Sequence, residues 1–187
     1  MARARAGLAR NASASLAVVG AVAFFAFGLP ALDRSLPADR PLPAGVAYAV
    51  GGPVTVVPPE GAGVDLTRTR PAAERGTALF VLGGTRFAVV VSPYDGTLAE
   101  AVSRLQNKIT KANGVQVTGA THTVMTATGV PGVRGSYRAP GRSGEYAVFV
   151  HAEVVVEATA SGSEAHLQSL RPAIDAALRS VSFGGGP

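Results

Sequence analysis

This chain contains no cysteine and no tryptophan. The absence of cysteine excludes disulfides, thiol nucleophiles, thiolate metal ligands and a lipid-modified cysteine together. Stability must then come from packing. Histidine is scarce, at three residues, so few side chains titrate near neutral pH. Charged residues make up only 16%, but 47% of the 187 residues are hydrophobic, enough for a packed core. The most informative absence is local. From Arg10 to Asp33 there is no intervening charge, and from Leu16 to Leu32 the chain is almost wholly apolar.

That uncharged run, residues 11–32, would extend about 33 Å as a helix, against a hydrocarbon core of roughly 30 Å. Its Leu, Val and Phe residues favour insertion by about 3–5 kcal/mol. Arg3, Arg5 and Arg10 precede it without an acidic residue, whereas Asp33, Arg34, Asp39 and Arg40 balance one another on the other side. The positive-inside bias therefore predicts a cytoplasmic stub over 1–10, a transmembrane helix over 11–32 and an extracytoplasmic body. A cleaved signal peptide is the competing reading. Ala26-Phe27-Gly28 and Leu29-Pro30-Ala31 are poor matches to a small-x-small cleavage site, so the expectation is an uncleaved single-pass anchor in the cell membrane.

Beyond the run, about 150 residues suit one domain. Three of the 17 basic residues belong to the stub, leaving 14 against 12 acidic ones. So slight an excess gives no concentrated basic face, and nucleic acid is excluded as a partner. Residues 33–45 (DRSLPADRPLPAG) read as a proline-rich spacer, 46–183 as the domain and 184–187 as a disordered tail.

Within the domain, Val46–Val50 and Val54–Val57 are short predicted strands. Thr77–Leu82 and Arg86–Ser92 form a predicted hairpin around Gly83-Gly84. Thr97-x-x-Glu100 matches a capping box, and Leu98, Val102, Leu105 and Ile109 lie on one helical stripe, with Lys108 on the opposite face and Asn113-Gly114 as the stop. Strands are expected from Val115 towards Thr128 and over Val133–Arg138. Tyr146–Val150 and Val154–Ala160 follow, with a tight turn near Ala152. Ser163 and Glu164 open a second helix whose stripe is Leu167, Leu170, Ile174, Leu178 and Val181. Pro172 either kinks that helix or starts a new first turn there. The fold class is α+β: an antiparallel sheet with two amphipathic helices behind a transmembrane helix.

Motifs for chemistry are lacking. His151 and Glu153 would share one strand face as half of a metal site, but a third ligand is not evident. His122 and His166 have no motif around them. Gly135-Ser136 lacks the far glycine of a G-x-S-x-G elbow, since Arg138 stands there. Gly51-Gly52 and Gly83-Gly84 lack phosphate-loop spacing. No catalytic residue, metal ligand or cofactor site is assigned. The remaining candidates are arginines suited to an anionic surface: Arg68 and Arg70, with Arg75 and Arg86 nearby in sequence, and a second group of Arg134, Arg138 and Arg142.

From Gly76 to Phe183 the order of elements resembles PsbP-like domains, in particular LpqN-type exported proteins of actinobacterial envelopes. The resemblance lies in FAVVV leading to SPYDGTLAEAVSRLQ, then GVPGVRGSYR, EYAVFVHAEVVVEATASGS and the closing LRSVSF. Two features depart from the pattern. Pro59-Glu60-Gly61 is followed by Ala62 where the family often has tryptophan, and a spanning helix stands in for the lipid-modified cysteine. The resemblance implies a non-enzymatic binding or assembly role at the envelope, with an envelope protein or lipid as partner, and carries no functional residue onto this chain. The alternative is a membrane-tethered hydrolase whose site forms no motif.

Overall fold

The computed structural model describes residues 39–111 and 114–184. The expected stub, membrane helix and most of the spacer lie outside them, as do Asn113 and the last three residues of the tail. No helix among the described residues is long and apolar enough to cross a membrane.

The order of elements is β1 (Asp39–Pro41), β2 (Tyr48–Gly51), β3 (Val54–Val56), β4 (Gly63–Asp65), β5 (Gly76–Leu82), β6 (Thr85–Pro93), α1 (Leu98–Thr110), β7 (Gln116–Met125), β8 (Pro131–Ala139), β9 (Arg142–His151), β10 (Val154–Gly162) and α2 (Glu164–Arg179). Eight strands form one sheet in the order β1-β4-β5-β6-β10-β9-β8-β7, while β2 and β3 make a separate hairpin. Every pairing is antiparallel. Strands β6 and β7 therefore run in the same direction, four places apart, and such a pair needs a crossover. Helix α1 supplies it across one face, packing on β7, β8 and β9.

Period-two alternation assigns the helices to opposite faces. Ala147, Phe149, Val156, Ala158 and Ala160 join Ile174, Ala177 and Leu178 of α2, together with Val50, Val54 and Val56 of the hairpin. Tyr146, Val148 and Val155 point the other way, onto Ala101, Val102 and Leu105 of α1. The result is a three-layer α+β sandwich around a two-sided sheet.

The capping box forms as the sequence predicts: Glu100 N–H donates to Thr97 Oγ1, and Thr97 N–H donates to Glu100 Oε2. Helix α2 runs through Pro172 as one element. Pro172 is exposed, so the Gln168 carbonyl it leaves without a helical donor lies on the solvent side.

Three aromatic–glycine pairs knit β8 to β9. Gly132 pairs with Phe149, Gly135 with Tyr146 and Gly144 with Tyr137, and in each pair the ring occupies the space a glycine Cβ would need. The rings cover backbone that would otherwise lack packing.

One expectation needs correction, and the tight turn expected near Ala152 is present. Asp39–Pro41 is not spacer: it pairs with Gly63–Asp65, and the compact unit begins at Asp39. Pro41 fits because β1 is the outermost strand, where a missing N–H costs no central ladder bond. The turn near Ala152 is a two-residue hairpin with Ala152 at φ +47° and Glu153 at φ +62°, left-handed backbone that is usually given to Asn-Gly.

Candidate functional site

The arginine candidates divide into three environments. Arg68 and Arg70 lie on the exposed loop between β4 and β5. Asp65 fixes the start of that loop, its Oδ1 accepting from Thr67 Oγ1 (2.6 Å) and from the backbone N–H groups of Thr67 (2.9 Å) and Arg68 (3.1 Å). The Thr67 hydroxyl, aided by those amides, holds the Asp65 carboxyl below its ordinary pKa against a smaller opposing effect of burial. Arg70 spends part of its guanidinium on the Thr69 carbonyl, at 2.9 Å.

Arg134 is different. It lies on the α2 face of β8 with its side chain only 10% exposed, donating to both Glu145 of β9 and Asp175 of α2. Arg171 of α2 reaches the other oxygen of Glu145 at 2.8 Å. Burial alone would lower the Arg134 pKa, but the hydrogen bonds to Glu145 and Asp175, with their charges, leave it raised. Arg134 is thus withdrawn from any anionic surface, because two carboxylates already neutralise it. Arg138, four residues on, is 70% exposed and only 4.0 Å from Glu164 at the start of α2. Since β6, β10 and β9 separate β5 from β8, the four candidates do not form one patch.

The opposite face carries a mirror of this arrangement. Glu157 of β10 is buried beneath α1, where Lys108 Nζ donates to it at 2.8 Å and Arg104 lies 3.4 Å away. Lys108 is therefore not a neutral position on the solvent side of α1. The sequence signal was there, as the one charge inside the apolar run VVVEATA, but periodicity alone does not say which helix supplies its partner. Each helix is thus tied to its own sheet face by a buried charge and counter-charges.

The histidines are not brought together. His122 lies on β7, His166 in the first turn of α2, and His151 at a hairpin tip with its ring edge-on to Phe183 at 5.4 Å. Glu153 falls in the left-handed turn, so it does not share a strand face with His151. Among the described residues no group of three or more His, Asp or Glu side chains could hold a metal ion.

Sequence reasoning missed a cleft at the end of the sheet where β10 meets α2. It has a volume of about 240 Å³ and is lined by Arg86, Arg142, Ser161, Ser163 and flanking glycines, without a carboxylate. The register explains it. Arg86 pairs with Ser161, and Ser161 pairs with Gly144, so Arg86 and Arg142 stand on strands either side of β10 and on the same face. Neither arginine is within ion-pair distance of an acidic group among the described residues, whereas Arg134, Arg171, Arg104 and Lys108 all are. Tyr137 of β8 lies over Gly144 beside it: burial raises the Tyr137 pKa, opposed by hydrogen bonding with Ser161 and by the charge of Arg142. Arg86 and Arg142 lie 56 residues apart in sequence, and no local spacing could have joined them.

Fold and cleft together define the class: a three-layer α+β domain with an open, donor-lined surface cleft. The sequence matches no protein-family model and no curated protein. Solved structures with a similar layout include a protein of unknown function from Pseudomonas aeruginosa, PA94, described as a putative regulator. It is 16% identical, with 58% of this chain and 83% of that chain covered, at a TM-score of 0.45. Cyanobacterial PsbP (CyanoP) from Synechocystis sp. PCC 6803 is 12% identical over 75% and 96%, at a TM-score of 0.44. LpqN of Mycobacterium tuberculosis, described as involved in cell envelope biogenesis, is 13% identical over 77% and 89%, at a TM-score of 0.40.

Proposed function

We propose that this is a single-pass membrane protein whose extracytoplasmic domain works as a non-enzymatic binding or assembly accessory at the bacterial cell envelope. The observation that carries the binding part is how charge is distributed. The buried ionic groups, Arg134 and Glu157, are matched by partners that fix the helices. The cleft between Arg86 and Arg142 presents hydrogen-bond donors and is lined by no carboxylate, with the His166 imidazole beside Gly84 at its rim. Such a surface is suited to holding an anion. The uncharged run before Asp33, preceded only by arginines, supports the membrane setting and the orientation. Arg68, Arg70 and Arg138 are exposed, where anionic headgroups or an envelope protein can reach them, although Arg70 also holds the Thr69 carbonyl and Arg138 lies 4.0 Å from Glu164.

Replacing His122, His151 and His166 together by Gln tests the non-enzymatic reading. The variant is expected to fold and to complement a deletion strain as the natural chain does. Loss of complementation with thermal unfolding unchanged would show that imidazole chemistry is required and would return the assignment to a tethered hydrolase.

A further inference from the structure

We infer that the cleft between Arg86 and Arg142 binds a phosphate-type oxyanion, either free phosphate or the phosphomonoester of a headgroup. Two guanidinium groups and the hydroxyls of Ser161 and Ser163 line it. A guanidinium offers five N–H donors in a planar fork and accepts nothing. An unpaired pair of forks therefore calls for a ligand rich in acceptors and negative charge. A tetrahedral oxyanion supplies more acceptor oxygens than a carboxylate and matches the forks in two directions. The volume, about 240 Å³, also leaves space for part of an esterified group.

The surroundings fit the same ligand. Gly144, directly across from Ser161, leaves room on this face for the Tyr137 ring, and the hydroxyl of Tyr137 comes beside Ser161. Arg104, Lys108, Arg134 and Arg171 are held by carboxylates, whereas Arg86 and Arg142 have no carboxylate partner among the described residues. This inference deepens the binding reading and rests on it for its biological setting, but its test does not depend on where the domain resides.

The full chain in an uncharged detergent is titrated by calorimetry with inorganic phosphate, with glycerol 3-phosphate and with acetate. Saturable 1:1 binding of one or both phosphate compounds, at least tenfold tighter than acetate, is expected. Tighter binding of glycerol 3-phosphate points to a lipid headgroup, and tighter binding of inorganic phosphate points to the free ion. Arg86→Gln/Arg142→Gln should weaken this binding at least tenfold. Arg75→Gln/Arg179→Gln, which removes the same charge at the other end of the sheet, should change it less than twofold. Arg86→Lys/Arg142→Lys keeps the charge and loses the forks, and should fall several-fold short of the natural chain even if the Gln pair were to lose its fold. No saturable binding, equal binding of acetate, or equal loss in the two Gln variants overturns the inference. Those outcomes leave the accessory reading standing if the triple histidine variant still complements.

Discussion

Arg134 shows why a residue's identity says little until its neighbours are known. In sequence it is one of three arginines around a loop, while in the fold it is the cation between Glu145 and Asp175 under α2. Removing one member of such a buried cluster leaves the others uncompensated, at about 3–5 kcal/mol. Arg134→Met should therefore lower the unfolding free energy in urea by about 3 kcal/mol. Arg171→Met, whose side chain is 58% exposed, should cost at most about 1 kcal/mol. Equal losses would mean that Arg134 is solvated in the native state. Lys108→Asp belongs to the same scale: it would place a second carboxylate against buried Glu157, and its loss should far exceed the ~0.5 kcal/mol of an ordinary surface change.

At the scale of elements, what is encoded locally is legible. The Thr97-x-x-Glu100 box and the Leu98–Ile109 stripe need only the chain's own neighbours, and both appear where the spacing puts them. Thr97→Ala should cost about 1 kcal/mol. The backbone and hydroxyl of Thr97 hold the Glu100 carboxyl below its ordinary value of 4.5. The stabilisation from that carboxylate is thus present above the ordinary pKa and lost as pH falls through the lowered one. Acid titration of the Thr97→Ala variant should show that loss reduced.

What depends on distant partners was not legible. Asp39–Pro41 is a strand only because β4 offers it an edge, and nothing in its own pattern alternates. The cleft exists only because β10 inserts between β6 and β9. The Ala152-Glu153 turn was located by the length of the apolar stretch around it, but its left-handed backbone was not, since neither residue favours it. Replacing the pair by Asn-Gly should raise stability by about 1–2 kcal/mol, read as an upward shift in thermal midpoint. An unchanged or lowered midpoint would contradict the turn geometry.

The sheet domain begins at Asp39, and the sequence before it carries the uncharged run of residues 11–32. Hydrophobic insertion is not screened by ions, so the protein should remain in the membrane pellet through a high-salt wash. A soluble product beginning near Leu29 or Leu32 would show that the run had been removed as a signal. The proposed setting, with the domain at the membrane on the side opposite the arginine-rich start, is tested most directly by a reporter active only outside the cytoplasm. Alkaline phosphatase fused after Phe183 should be active, and the same reporter fused after Arg10 should be inactive. Activity from the Arg10 fusion with none from the Phe183 fusion, or equal activity from both, would contradict the account.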